Sequence, residues 1–186
     1  MGKLILVTGG ARSGKSTFSE NKASELGKEI LYVATSIPFD DEMKDRVRKH
    51  REQRPSCWDT LEVYKDLDIR IKQAYNNQHG ILVDCITVMV TNILFSNDDI
   101  NWDTCTMQEI NKLELQVKSE INKLIDVCNE FTVPMIAVTN ELGMGIVPEN
   151  RLARIFRDIA GRVNQQLAAA AEEVYLVVSG IPVRIK

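Results

Sequence analysis

The stretch Gly9-Gly10-Ala11-Arg12-Ser13-Gly14-Lys15-Ser16 satisfies G-x-x-x-x-G-K-[ST], and it limits the fold more than any other feature because the pattern has meaning only between a β-strand and an α-helix. Its flanks supply that context. Residues 3–8, KLILVT, are a short leucine-rich and β-branched run of the kind that forms a buried strand. Residues from Ser16 to about Leu26 fit a helix that Gly27 stops. In such a loop the glycines let backbone N–H groups curl around phosphate oxygens, and the helix N-terminus adds a favourable dipole. Lys15 then reaches the β- and γ-oxygens, and the Ser16 hydroxyl is placed to ligate Mg²⁺. A turn that merely joined strand to helix would have no use for this lysine and serine. Gly9 to Ser16 are therefore expected to bind nucleotide phosphates, with Lys15 also acting in catalysis.

The rest of the chain continues the alternation. ILYVAT (30–35), GILVDCIT (80–87), VPMIAVTN (133–140) and EVYLVVSG (173–180) read as further strands. Helical spacing runs over 40–54, with Asp40 as N-cap and Pro55 as terminator, over about 104–131, and over about 151–171. Strands alternating with helices through short loops predict a parallel sheet covered on both faces. At 186 residues and 44% hydrophobic content the chain can bury one substantial core. The expectation is a single α/β P-loop domain over 1–186, RecA-like, with a mainly parallel sheet and helices on both faces.

A net charge of −3 leaves no basic excess for neutralising a duplex, so no nucleic-acid partner is expected and phosphate chemistry must be local. Cys57, Cys85, Cys105 and Cys128 lie far apart without a C-x-x-C pair, which suggests neither a zinc site nor a redox motif. A reduced, cytoplasmic chain is expected. The first apolar run turns into glycines too early for a signal segment, and nothing approaches the length of a membrane span.

A phosphate loop also calls for an acidic residue at a nearby strand end to help hold the metal. Asp84, closing ILVD, is the candidate, with Ser16 as the other metal ligand; a capping role for Asp84 is compatible with this. A switch GTPase would carry D-x-x-G and N-K-x-D. Here Asp84 leads into Cys-Ile-Thr, and Thr139-Asn140-Glu141-Leu142 lacks the lysine and aspartate. A transferase is the better class.

RVRKHREQRP, residues 46–55, sets His50 among four arginines and a lysine. On a helix Arg46, His50 and Arg54 share a face. Like-charged neighbours disfavour imidazolium, leaving a ring nitrogen free to attack phosphorus, while the arginines can hold a triphosphate. A solvated basic helix that happens to contain a histidine is the other reading of the same residues. His79, in NNQHG, reads as ordinary loop, and Trp58 as core or interface. Arg151, Arg154 and Arg157, after the Glu141–Asn150 loop, suit either ligand contact or packing.

VTGGARSGKS (7–16), YVATS (32–36), the DDEM…R…HR..RP..W pattern from Asp40 to Trp58, ITVMVTNILF (86–95) and TNELGMGIVPENRLARIFRDIAGRVNQQLA (139–168) together resemble the adenosylcobinamide kinase/adenosylcobinamide-phosphate guanylyltransferase family of cobalamin biosynthesis. The last of these motifs is long and not generic to P-loop proteins. The resemblance implies a bifunctional enzyme. It would phosphorylate the aminopropanol arm of adenosylcobinamide with ATP or GTP, then transfer GMP from GTP through a guanylyl-histidine to give adenosylcobinamide-GDP and pyrophosphate. Carried onto this chain, it implies that His50 takes the guanylyl group and that Gly9 to Ser16 bind phosphates. Ala34, Thr35 and Ser36, Arg51, Glu52, Gln53 and Arg54, and Glu62 and Asp84 would line the GTP site. Mg²⁺ is the implied cofactor and a homotrimer the implied assembly, with subunits contributing to one another's sites. A guanylyltransferase without kinase activity and a non-catalytic nucleotide-sensing module remain as alternatives, and no base for the kinase step stands out.

Overall fold

Strand β1 (Leu4–Thr8) is buried at every position, as a strand paired on both edges and covered on both faces must be. In the computed structural model the chain is described at residues 2–36, 54–96 and 100–186. The helix expected over 40–54, with His50, Arg51, Glu52 and Gln53, falls outside these residues apart from its last residue, Arg54.

After β1 come α1 (Lys15–Leu26), β2 (Ile30–Ala34), β3 (Asp59–Glu62), α2 (Leu67–Ala74), β4 (Gly80–Asp84), α3 (Ile86–Phe95), α4 (Met107–Glu130), β5 (Met135–Val138), α5 (Arg151–Ala170), β6 (Glu173–Val178) and β7 (Ile181–Arg184). The strands form one sheet in the order β3-β2-β4-β5-β1-β6-β7. All neighbours are parallel except β6 and β7, which form an antiparallel hairpin at one edge. The architecture is the α/β, mainly parallel P-loop arrangement expected from the sequence. β5 lies between β1 and β4, so one strand separates the phosphate loop from Asp84.

Strand alternation divides the core in two. Leu4, Leu6, Leu31, Val33, Ile81, Val83, Met135 and Ala137 meet α2, α3, α4 and α5 on one face. Ile5, Val7, Ile30, Tyr32, Leu82, Ile136 and Val138 face α1 and Trp58 on the other. α4 starts at a capping box, in which the Thr106 hydroxyl accepts from the Glu109 N–H and the Glu109 carboxylate accepts from the Thr106 N–H. Its fully buried Ile121 and Leu124 are positions where truncation to alanine costs about 2–5 kcal/mol.

The expected strand over 80–87 is shorter than predicted. It ends at Asp84, and Ile86 opens α3. Seven of the ten α3 residues are buried, and a helix wrapped in protein on nearly all sides shows no amphipathic period. Its β-branched residues therefore resemble a strand when read alone. Among the described residues no helix is long and apolar enough to cross a membrane.

Candidate active site

The chain leaves β1 at Thr8 and turns through Gly9–Gly14 into α1, whose N-cap, Gly14, has φ +95°. A side chain at Gly14 would be crowded as well as strained at that φ, since a Cβ there would stand 3.0 Å from Gly180 Cα. The loop is braced from two sides: Gly180 N–H donates to the Ser13 carbonyl (2.7 Å), and Glu141 N–H donates to the Gly9 carbonyl (2.9 Å). Gly10, Ala11 and Arg12 are exposed and Ser13, Gly14 and Ser16 half-buried, so the cradle opens to solvent. Lys15 is different. It is buried, with its ammonium donating to the Gly10 carbonyl at 2.6 Å and lying 3.5 Å from the Ser13 hydroxyl. Burial pulls its pKa below 10.5, opposed by the nearby Cys85 and Asp84.

Asp84 ends β4 level with Ala34 of β2 and Val138 of β5. Its Oδ2 accepts a 3.0 Å hydrogen bond from the Tyr32 hydroxyl. Burial, reinforced by the Asp84 charge, pushes the Tyr32 phenol well above its usual range. Ser16 and Asp84 offer a hydroxyl and a carboxylate, hard oxygen donors suited to Mg²⁺, which typically combines one or two protein ligands with substrate phosphates and water. Among the described residues no cluster of three His, Cys, Asp or Glu could hold a metal.

Ala34, Thr35 and Ser36 continue β2 into this end of the sheet. Thr35 is 1% exposed, and its hydroxyl donates to the Cys85 carbonyl (2.7 Å) and accepts from the Cys85 N–H (3.0 Å). It thus ties two strand ends together, and with its half-buried neighbour Ser36 it borders a cleft. That cleft, of about 500 Å³, is lined by Thr35, Ser36, Glu62, Tyr64, Lys65 and Arg70 among others. Arg54 lies with its guanidinium carbon 3.4 Å from the Tyr32 ring centroid and beside Glu20, whose pKa burial raises and Arg54 lowers. The structure therefore groups Gly9–Ser16 with Asp84, and Arg54 with Asp84 through Tyr32. Glu62 stands with Ser36 in the cleft at the outer strands.

Sequence reasoning missed the polar layer beneath these groups. The Thr139 hydroxyl donates to Asn164 Oδ1 (2.7 Å) and lies 3.2 Å from the Thr87 hydroxyl, which accepts from the Asn140 N–H (2.7 Å). Asn164 Nδ2 donates to the Asn140 carbonyl (3.0 Å), and Asn92 Nδ2 donates to the Thr35 carbonyl (2.7 Å). Thr87 and Asn92, with Thr91 the polar residues of the otherwise apolar stretch 86–95, were the available signal. His79 has a structural place, its N–H donating to the Glu29 carbonyl at 2.8 Å while its ring packs on Gly27. Arg151 is likewise occupied by the Trp102 and Cys105 carbonyls, and Arg154 by Pro148 and Glu149.

A buried lysine within a glycine cradle, an aspartate at a strand end one strand removed, and helices on both faces of a parallel sheet define a P-loop enzyme that uses nucleotide substrates. Residues 5–185 match the family described as cobinamide kinase / cobinamide phosphate guanyltransferase. The chain is 51% identical to the bifunctional adenosylcobalamin biosynthesis protein CobU of Salmonella typhimurium, over 98% of this chain and 99% of that protein. It is 50% identical to CobU of Escherichia coli over the same shares. Identity is 35% to the bifunctional adenosylcobalamin biosynthesis protein CobP of Pseudomonas aeruginosa, over 97% of this chain and 96% of that one. The chain belongs to the cobinamide kinase / cobinamide phosphate guanyltransferase family, and it is an enzyme of that bifunctional kind.

Proposed function

We propose that residues 1–186 act as one catalytic unit of cobalamin biosynthesis that phosphorylates adenosylcobinamide and then guanylylates the product. The observation that carries this reading is the buried Lys15 held inside the braced Gly9–Ser16 loop, at the same end of the sheet as Asp84. Backbone N–H groups of the loop and the Lys15 ammonium bind the triphosphate. Ser16 and Asp84 hold Mg²⁺, which supplies positive charge to the phosphate oxygens when bound. Ala34, Thr35, Ser36, Arg51, Glu52, Gln53, Arg54 and Glu62 form the rest of the GTP site.

In the transferase half-reaction a nitrogen of neutral His50 attacks the α-phosphorus. The N–P bond forms as the bond to the bridging oxygen breaks, and pyrophosphate leaves with that electron pair. An oxygen of the corrinoid phosphate then attacks the same phosphorus, the N–P bond breaks, and His50 is regenerated. In the kinase half-reaction the acceptor hydroxyl oxygen attacks the γ-phosphorus, ADP or GDP leaves, and the hydroxyl proton passes to solvent. The protein works as a cytoplasmic homotrimer without nucleic acid.

Incubation with α-³²P-GTP tests the covalent step. Wild type retains acid-labile, base-stable label, and His50→Ala does not. An unlabelled wild type, or label retained by His50→Ala, removes the guanylyl-histidine from the mechanism.

A further inference from the structure

Tyr32 carries none of the roles proposed above, yet two parts of the site meet at its side chain. In the β2–β4 register it stands opposite Leu82, two residues short of Asp84 on the same face. It is 3% exposed and packs among the residues facing α1. Its hydroxyl reaches the Asp84 Oδ2 at 3.0 Å. An ionised carboxylate only accepts, so the phenol donates, and the bond fixes one oxygen while leaving the other available. On the ring, the Arg54 guanidinium carbon sits 3.4 Å from the centroid, against 4.9 and 5.4 Å for the other cation–ring contacts among the described residues. A stacked guanidinium is held in one plane while its edge donors stay free for oxygen ligands.

We infer that Tyr32 is a positioning residue for nucleotidyl transfer, joining Arg54 to Asp84 so that a cation and the acidic strand end are presented to the triphosphate in one fixed arrangement. A phenylalanine would fill this core position equally well, so packing alone does not call for the hydroxyl. The hydroxyl orients Asp84, and the ring orients Arg54. In sequence Arg54 follows His50 by four residues, so the stack also anchors the end of the basic segment to the sheet. The inference rests on the transfer reading given above, in which Asp84 helps to hold Mg²⁺ and Arg54 lines the GTP site.

The test uses the full-length protein and separates hydroxyl from ring. Tyr32→Phe raises the Mg²⁺ concentration for half-maximal labelling by α-³²P-GTP about 10-fold, the range found when a partner orienting a metal ligand is removed. Fluorescent GTP-analogue binding shows the same shift in Mg²⁺ dependence, while affinity measured without Mg²⁺ and the melting temperature stay close to wild type. On an Asp84→Asn background Tyr32→Phe changes the Mg²⁺ dependence of binding less than about twofold, because the two act as a unit. Tyr32→Leu lowers the labelling rate beyond Tyr32→Phe, and Arg54→Ala adds nothing to it; if Tyr32→Leu does not fold, the Tyr32→Phe and Asp84→Asn cycle decides alone. Equal Mg²⁺ dependence in Tyr32→Phe and wild type, or full additivity with Asp84→Asn, overturns the inference. An unlabelled wild type overturns the transfer reading itself, whereas a labelled wild type matched by Tyr32→Phe overturns only the tyrosine's role.

Discussion

Lys15 donates its ammonium to the carbonyl of Gly10, five residues back in its own loop, at 2.6 Å. The cation thus waits inside the cradle on a neutral acceptor, with burial already lowering its pKa. A triphosphate brings an opposite charge into direct contact with the lysine. Lys15→Met should therefore leave the melting temperature without nucleotide unchanged or higher, since a desolvated charge is removed. The nucleotide-induced gain, about 2.7 kcal/mol when Mg-GTP is at a hundred times its Kd, should vanish, and labelling should fall at least about 100-fold. Thermal melts with and without Mg-GTP check the first outcome, and α-³²P-GTP labelling the second.

Gly14→Ala tests the loop backbone. A non-glycine residue at φ +95° costs roughly 1–2 kcal/mol, and the new Cβ would press on Gly180 Cα. Urea unfolding should show a loss of about that size. GTP binding should weaken by more than the stability loss explains, because relief of the clash tilts the N–H groups away from the phosphates. Stability reduced with GTP affinity intact would contradict a cradle formed by these amides.

The phosphate loop, five of the parallel strands and the helices α1, α4 and α5 were legible because each carries its signal locally. The glycine–lysine–serine spacing, the apolar runs, and the heptad-like recurrence of Ile110, Val117, Ile121 and Leu124 all lie within one element. β3 (DTLE) was not, because it is short and lies at the sheet edge with polar, mostly exposed residues. β7 contains Pro182 at the opposite edge, where a missing N–H is tolerated. α2 declares itself only through Leu67 and Ile71. Within the site, residues 9–16 and Asp84 followed from spacing. Tyr32 and Asn164 did not, since their importance comes from groups 52 and 25 residues away that only the fold brings together.

Arg162 reaches 48 residues back to Glu114 with a two-pronged bond, Nε to Oε1 at 2.7 Å and Nη2 to Oε2 at 2.8 Å. The pair locks α5 to α4, and the Arg162 bond is the main reason that the Glu114 pKa lies below its ordinary value. Arg162→Lys keeps the charge but not the fork. Because the arginine is nearly half exposed, the expected loss is modest, about 1–2 kcal/mol, read as a shift in the urea midpoint. The Mg-GTP-induced stabilisation should be unaffected, since the pair touches none of the nucleotide-binding residues among the described residues.

Glu173 gives the fold an acid-sensitive joint. It begins β6 opposite Ile5 of β1 and is buried, with Lys3 on Oε1, the Tyr175 hydroxyl donating to Oε2 at 2.7 Å, and Lys22 and Arg184 at 3.6 and 3.8 Å. The Lys3 hydrogen bond, then that from Tyr175, holds its pKa down to about 2 from 4.5. A depressed folded-state pKa means that the folded form favours the ionised carboxylate. Its contribution is fully present above the unfolded value of 4.5 and disappears as pH falls toward about 2. Glu173→Gln preserves the shape and removes the charge, so it should lower stability by about 1–3 kcal/mol at neutral pH. Because the wild-type carboxyl is itself neutralised across that acid interval, the two unfolding curves should converge there. Denaturant titrations at several pH values would show it, and a difference that stayed constant down to the lower limit would mean that the loss came from packing and not from the ion pairs.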